Sequence, residues 1–257
     1  MDLIKLIGWL ILIYGVIAIV VNKFRPGQKG LFPLGIPAAL SGLTLVILLS
    51  LIVLVDAQQV GVVVTPSGVR NEELHTGWHV VYPWNNVHKM DKTVWVYTCA
   101  HETTEGSKPN ADAIWAPTKD GIKMGFDVSV SWRINPDEAS WIYQNVTEND
   151  GGNSGRYIWL EENVIRTKLK SALAITVSNY TPIEVYSAKR EEIQDNVKIR
   201  MEKEIAQYKL QLDNIDLREV YYNSEYEAAI NNKKLAEQEA LRLVEVTKQK
   251  RGTIKTS

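Results

Sequence analysis

Lys123-Met124-Gly125-Phe126-Asp127-Val128-Ser129-Val130-Ser131-Trp132-Arg133-Ile134 sets an apolar side chain at every even position and a glycine, polar or charged residue at every odd one. Strict period two over that length is the pattern of a long β-strand with one face in a core and the other polar. Thr118-Lys119-Asp120-Gly121 supplies a turn before it. Asn135-Pro136 stops it, because proline cannot donate to a ladder. The strand needs a cover, and the sequence downstream provides one.

After a Gly-rich break at Asp150-Gly151-Gly152-Asn153-Ser154-Gly155, apolar residues recur at helical spacing: Tyr157, Leu160, Val164, Ile165, Leu169, Ala172, Leu173 and Ile175. Such a stripe predicts a helix lying on the strand's apolar face. Thr181-Pro182-Ile183-Glu184 has the form of a capping box with proline at the first helical position, and Ser187 is a second candidate cap. Ile193, Val197, Met201, Ile205 and Tyr208 form another stripe. Leu212, Ile215, Leu217 and Val220 then mark a returning strand over Leu210 to Tyr221. The fold class expected for the body is α+β.

From Ser224 to Arg251 no proline or glycine occurs and strong helix formers dominate. The apolar seam there is thin. Ala229, Ala236, Ala240 and Leu243 are spaced seven, four and three, with Ile230, Leu241 and Val244 beside them, and Lys233-Glu237 and Glu239-Arg242 can pair on the surface. So narrow a seam suits lateral packing against a copy of the same helix; the alternative is a solvated charged tail.

Upstream of the long strand, Gln59 to Thr65 is a β-branched run ended by Pro66-Ser67-Gly68, which reads as a hairpin into Val69-Arg70. Gly77 to Trp84 and Val87 to Tyr97 read as two more strands of a small sheet, and His101 to Pro117 as an exposed loop. The aromatic density (Trp78, Tyr82, Trp84, Trp95, Tyr97) suits either a surface dipping into lipid headgroups, with Trp78, Tyr82 and Trp84 as membrane-interface candidates, or the core of a small domain.

The first 55 residues hold only Asp2, Lys5, Lys23, Arg25 and Lys29 as charged groups. Leu3 to Val21 is apolar apart from Lys5, and Leu31 to Val55 carries no charge. Both stretches reach the length of a membrane-crossing helix. The connection between them holds three cations and no acid, which by the positive-inside bias lies in the cytoplasm and leaves the body outside it. A re-entrant hairpin turning at Pro33, Gly35 and Pro37 is the competing reading, with the body in the cytoplasm. Across all 257 residues the net charge of -1 averages a basic head and an acidic body. Such a body offers no broad basic surface, so nucleic acid is not an expected partner. The expected organisation is a membrane anchor over 1–55, a membrane-proximal β-rich part over 56–117, an α+β part over 118–221 and an assembly helix with tail over 222–257.

The order of features resembles the SPFH (Band 7) superfamily. The residues that carry the likeness are Gln58 to Val64, Gly77-Trp78-His79 to Tyr82-Pro83-Trp84, the Thr118 to Gly121 turn into Asp127 to Ile134, and Ser187-Ala188-Lys189-Arg190-Glu191-Glu192-Ile193 before an Ala/Glu-rich helix. The ending, Leu210 to Glu239, is most similar to prohibitins, with a stomatin-like character overall. The resemblance implies a non-catalytic membrane scaffold with an SPFH domain of small sheet and packed helices and a coiled-coil-like C-terminal helix. It further implies a large homo-oligomeric ring or cage that defines a membrane microdomain and regulates membrane proteins such as an AAA protease, here in an inner membrane of bacterial type. No cofactor is implied.

Chemistry in the sequence is sparse. No nucleophile elbow, phosphate-cradling loop or dinucleotide fingerprint occurs. The alternative of a membrane-anchored metal-dependent hydrolase would draw on His75 and His79, four apart, or on Cys99 and His101 with His88 nearby in sequence. Neither set carries a third ligand at a recognisable spacing. A direct regulator of a channel is a further alternative. One cysteine, Cys99, permits no intrachain disulfide.

Overall fold

A computed structural model describes residues 10–17, 19–20, 35–146 and 152–254. The chain divides into two compact units, Met1–Thr93 with Ile134–Thr147 and Val94–Arg133 with Glu148–Ser257.

In the first unit, residues 10–17 and 19–20 are helical, and helix α1 (Gly35–Ser50) runs back against them. A Cβ added to Gly15 would stand 2.5 Å from Ala39 Cα, and one added to Gly42 2.8 Å from Leu12 Cα. The two segments therefore touch backbone to backbone. Since Gly15 faces Ala39 while Leu12 faces Gly42, they are antiparallel, packed through small residues as close helix pairs are. Their outer faces, including Leu10, Ile13, Ile17, Leu40, Leu43 and Ile47, are exposed and apolar.

The uncharged stretch over 31–55 is not one helix, which corrects the expected second span. α1 stops at Ser50, and β1 (Ile52–Val55) pairs antiparallel with β4 (Gly77–Val80), Ile52 opposite Val80 and Leu54 opposite Trp78. The β-branched residues Ile52, Val53 and Val55 fit the ladder better than a further helical turn. With 16 residues, α1 is about 24 Å long, against about 30 Å for a hydrocarbon core. Among the described residues no helix is long and apolar enough to cross a membrane. The other expected span, 3–21, lies partly outside the described residues.

The hairpin at Pro66-Ser67-Gly68 is present, joining β2 (Gln59–Thr65) to β3 (Gly68–Val69), and β5 (Asn86–Asp91) flanks β2 on its other side. Gly61 sits tightly within β2: a Cβ there would meet Leu74 Cβ and Val87 Cγ1, each at 3.1 Å. Helix α2 (Ala139–Asn145) covers β2 with Ala139 and Ile142, and Ser140 donates to Glu73 Oε1 from its backbone N at 3.1 Å and its Oγ at 2.6 Å.

The expected single strand Val87 to Tyr97 is two strands. It breaks after Asp91, and β6 (Trp95–Cys99) belongs to the sheet of the second unit, in the order β6-β8-β7, where β7 is Ile114–Pro117 and β8 is Lys123–Ile134. β9 (Leu210–Tyr222) also pairs with β8. The alternation in β8 is realised: Met124, Phe126, Val128, Val130 and Trp132 are fully buried. The odd face is partly covered too, since the Trp115 indole lies where a Cβ on Gly125 would reach it at 3.1 Å.

Helix α3 (Gly152–Leu160), a π turn at Glu161–Ile165 and helix α4 (Arg166–Val177) supply the cover, burying Tyr157, Leu160, Val164, Ile165, Leu169 and Leu173. Ile175, counted in the stripe, is exposed. The capping box forms: Thr181 N donates to Glu184 Oε2 at 2.8 Å, a bond that lowers the Glu184 carboxyl below its ordinary pKa. It opens a short turn that widens to π over Glu184–Ala188. Helix α5 (Arg190–Ala206) starts after that, with Ser187 Oγ bonded back to Ile183 O rather than capping it. Ile193, Val197, Met201 and Ile205 are fully buried from α5. Helix α6 (Ser224–Ile254) is opened by Asn223, whose Oδ1 accepts from Tyr226 N at 2.9 Å.

Candidate functional sites

The structure does not bring the suggested metal ligands together. His79 Nε2 lies 2.5 Å from the carbonyl oxygen of His75, and His75 Nε2 lies 3.5 Å from Asp137 Oδ1, so the two rings take separate partners. Cys99 is fully buried in β6 opposite Val128, and burial together with the Asp112 carboxylate pushes its thiol up to about 12. His101, two residues on, is exposed with its ring 4.9 Å from Tyr221. His88 packs on Tyr143 in the first unit, centroids 4.9 Å apart. Among the described residues no group of three His, Cys, Asp or Glu side chains could hold a metal ion.

A polar cluster that sequence reasoning missed stands where an exposed loop was expected. Asp112 has a side chain only 6% exposed and pairs with Arg166 Nη1. Arg166 also donates to the Tyr97 hydroxyl at 3.0 Å and the Asp112 carbonyl at 3.3 Å, while Asp112 Oδ1 accepts from Ala100 N at 3.0 Å. Lys108 pairs with Glu162 beside it. This fastens the 100–113 segment to the start of α4 and lets Ile114 and Ala116 enter the core as β7. Only the isolated Asp112 among small residues hints at it in the sequence.

The π turn carries a second perturbed group. Burial raises Glu161 to about 7; the Trp132 indole N–H offsets part of this, and the neighbouring Glu162 adds to the rise. Folded protein therefore holds a proton that unfolded chain, titrating near 4.5, has released. Stability is expected to fall as pH rises from about 4.5 to 7, by on the order of 1 kcal/mol after solvent screening. Urea titrations of wild type and Glu161→Gln at pH 5 and 7.5 test this: the variant should lose that decline, and equal slopes would rule the assignment out.

Besides the outer faces of the helical pair, two further apolar surfaces are exposed among the described residues. On β4 and the segment after it, Trp78 is 66% exposed, Val80 80% and Trp84 65%, with the Tyr82 and Trp84 rings stacked 5.0 Å apart. The candidate interface residues Trp78, Tyr82 and Trp84 thus face solvent in the chain alone, whereas Trp95 and Tyr97 serve the core of the second unit. On α6, Ala229, Ala236, Ala240 and Leu243 are all exposed, as are Leu235 and Leu241, while the side chain of Val244 lies outside the described ones. Lys233 and Glu237 approach to 3.9 Å along the helix.

No curated protein matches the chain. The β1–β4 ribbon, the sheet around β8 with its helical cover, and the strand leading into α6 fall, but for Ile52 and Ile254 at the two ends, in residues 53–253, the stretch matched by the model of the SPFH domain / Band 7 family, and the chain belongs to that family.

Proposed function

We propose that the protein is a non-catalytic, membrane-anchored scaffold that assembles with copies of itself into a ring or cage. In this reading it organises a membrane microdomain and regulates membrane proteins such as an AAA protease. The observation that carries the reading is α6. A helix of 31 residues with Leu235, Leu241 and Leu243 exposed at 63%, 69% and 61% buries too little of its own surface to be stable alone. A second copy supplies the missing cover through the seam of Ala229, Ala236, Ala240, Leu243 and Val244.

Anchorage is assigned to the antiparallel helical pair, whose outward faces are apolar, with the edge at Trp78, Tyr82 and Trp84 resting in the headgroup layer. The connection between the helices contains Lys23, Arg25 and Lys29. Leaving three cations inside hydrocarbon would cost about 2.5–3.5 kcal/mol each, so in this reading the connection leaves the hydrocarbon, and the positive-inside bias puts it in the cytoplasm with the body outside. The apolar sequence Leu31 to Leu34 extends the stretch on that side beyond α1. A reporter active only outside the cytoplasm, fused after Ser257, should be active; activity of a cytoplasm-only reporter instead would reverse the orientation and favour the re-entrant hairpin.

For the aromatic edge, lipids brominated near the headgroup should quench part of the tryptophan emission of reconstituted protein. That part should disappear in Trp78→Ser/Tyr82→Ser/Trp84→Ser. Quenching of equal depth in the variant would take the edge off the membrane.

A further inference from the structure

A cleft of about 490 Å³ in the second unit is walled by His101, Trp115, Tyr186, Tyr221 and Tyr222, with Glu227 among its lining. One wall is the His101 ring with Tyr221 at 4.9 Å and Trp115 at 6.4 Å. The other is Tyr186 stacked on Tyr222 at 5.1 Å. None of these rings is needed to close the core behind β8, which is filled from the even face.

Among the described residues Glu227 is the one carboxylate in the cleft's lining, Lys233 and Lys234 belong to the adjoining groove, and two further carboxylates lie behind Tyr221. The Tyr221 hydroxyl lies 2.8 Å from Asp127 Oδ2 and 2.7 Å from Glu219 Oε2. A phenol has one proton to donate, so one of those two carboxylates faces it without a hydrogen between them. Asp127 is buried, and its other oxygen accepts from His101 N at 2.8 Å. Among the described residues no cationic side chain lies within ion-pairing distance of Asp127, Glu219 or Glu227, and the nearby Arg218 is taken by Glu105 at 2.6 Å. Aromatic faces carry negative quadrupole density that attracts a cation of low hydration, and adjacent carboxylates add to it. A bare metal ion does not fit this lining, because aromatic carbon offers it no ligands and no three-group cluster is present among the described residues.

We propose that the cleft binds an organic cation, an alkylated ammonium or a guanidinium group, held between the His101–Trp115–Tyr221 and Tyr186–Tyr222 walls and neutralised by Glu227, with the Asp127–Glu219 pair behind the Tyr221 hydroxyl adding a longer-range negative field. The inference does not rest on the scaffold reading. Both a choline-type group and an arginine side chain have the required chemistry, and neutral molecules of the same shape separate charge recognition from simple apolar burial.

Calorimetric titration of the full-length protein in detergent with choline and with N-acetylarginine amide, each beside its neutral counterpart (3,3-dimethylbutan-1-ol and N-acetylcitrulline amide), tests it. At least one cation should bind tenfold or more tighter than its neutral counterpart, and the pair that shows the gap identifies the source. Tyr222→Leu should weaken that cation about tenfold, Glu227→Gln about threefold, and Tyr222→Phe should leave it unchanged. Cations binding no tighter than their neutral counterparts would overturn the proposal. So would cation binding indifferent to both Tyr222→Leu and Glu227→Gln, two surface changes that leave the β8 core intact.

Discussion

Full-length protein carrying Ala236→Glu and Ala240→Glu is expected to leave the membrane as particles many times smaller than wild type. The two positions are one helical turn apart on α6 and exposed in the single chain, so the substitutions remove no intrachain contact. Glutamate is a good helix former, and helix content should be preserved. In a seam between copies the same side chains place two carboxylates against apolar neighbours, where an unpaired charge costs several kcal/mol at each contact. That cost recurs at every interface of a ring, so even a modest penalty per contact disassembles it. Size measured by light scattering beside circular dichroism separates the outcomes. Unchanged size with unchanged helicity would take this face of α6 out of the interface.

Arg166→Met is expected to destabilise the second unit strongly. It leaves Asp112, 6% exposed, without its cation while Ala100 N remains hydrogen-bonded to it. Removing one partner of so buried a pair costs about 3 kcal/mol, or roughly 6–12 °C in Tm for a unit of this size. The neighbouring pair provides the control: Lys108 and Glu162 are 35% and 32% exposed. Lys108→Ala should therefore cost under about 1 kcal/mol. Equal losses in thermal unfolding would mean that the Asp112–Arg166 contact does not fasten the 100–113 segment.

The long strand β8 was legible because its alternation repeats six times and each inward residue found a place in the core. The stripes of α4 and α5 and the returning strand β9 were legible for the same reason, the span of α6 because strong helix formers run there without proline or glycine, and the Thr181–Glu184 box because capping is a local interaction. Boundaries set by distant partners were not. Residues 31–55 are uniformly apolar, and only pairing with Gly77–Val80 decides that the helix stops at Ser50; the cluster Ile52-Val53 with Val55 is the faint signal of it. β7 is four residues long, closes on Pro117 and depends on an ion pair to Arg166 more than fifty residues away. The cleft gathers His101, Trp115, Tyr186 and Tyr221 from four separate segments, and no spacing along the chain brings them together.

Mass measurement of the wild-type protein extracted gently from native membrane, together with images of the same particles, tests the central claim most directly. The scaffold account predicts closed particles of many copies of the 29.0 kDa chain, with α6 at the contacts between copies. Monomers of 29.0 kDa as the dominant species would contradict it.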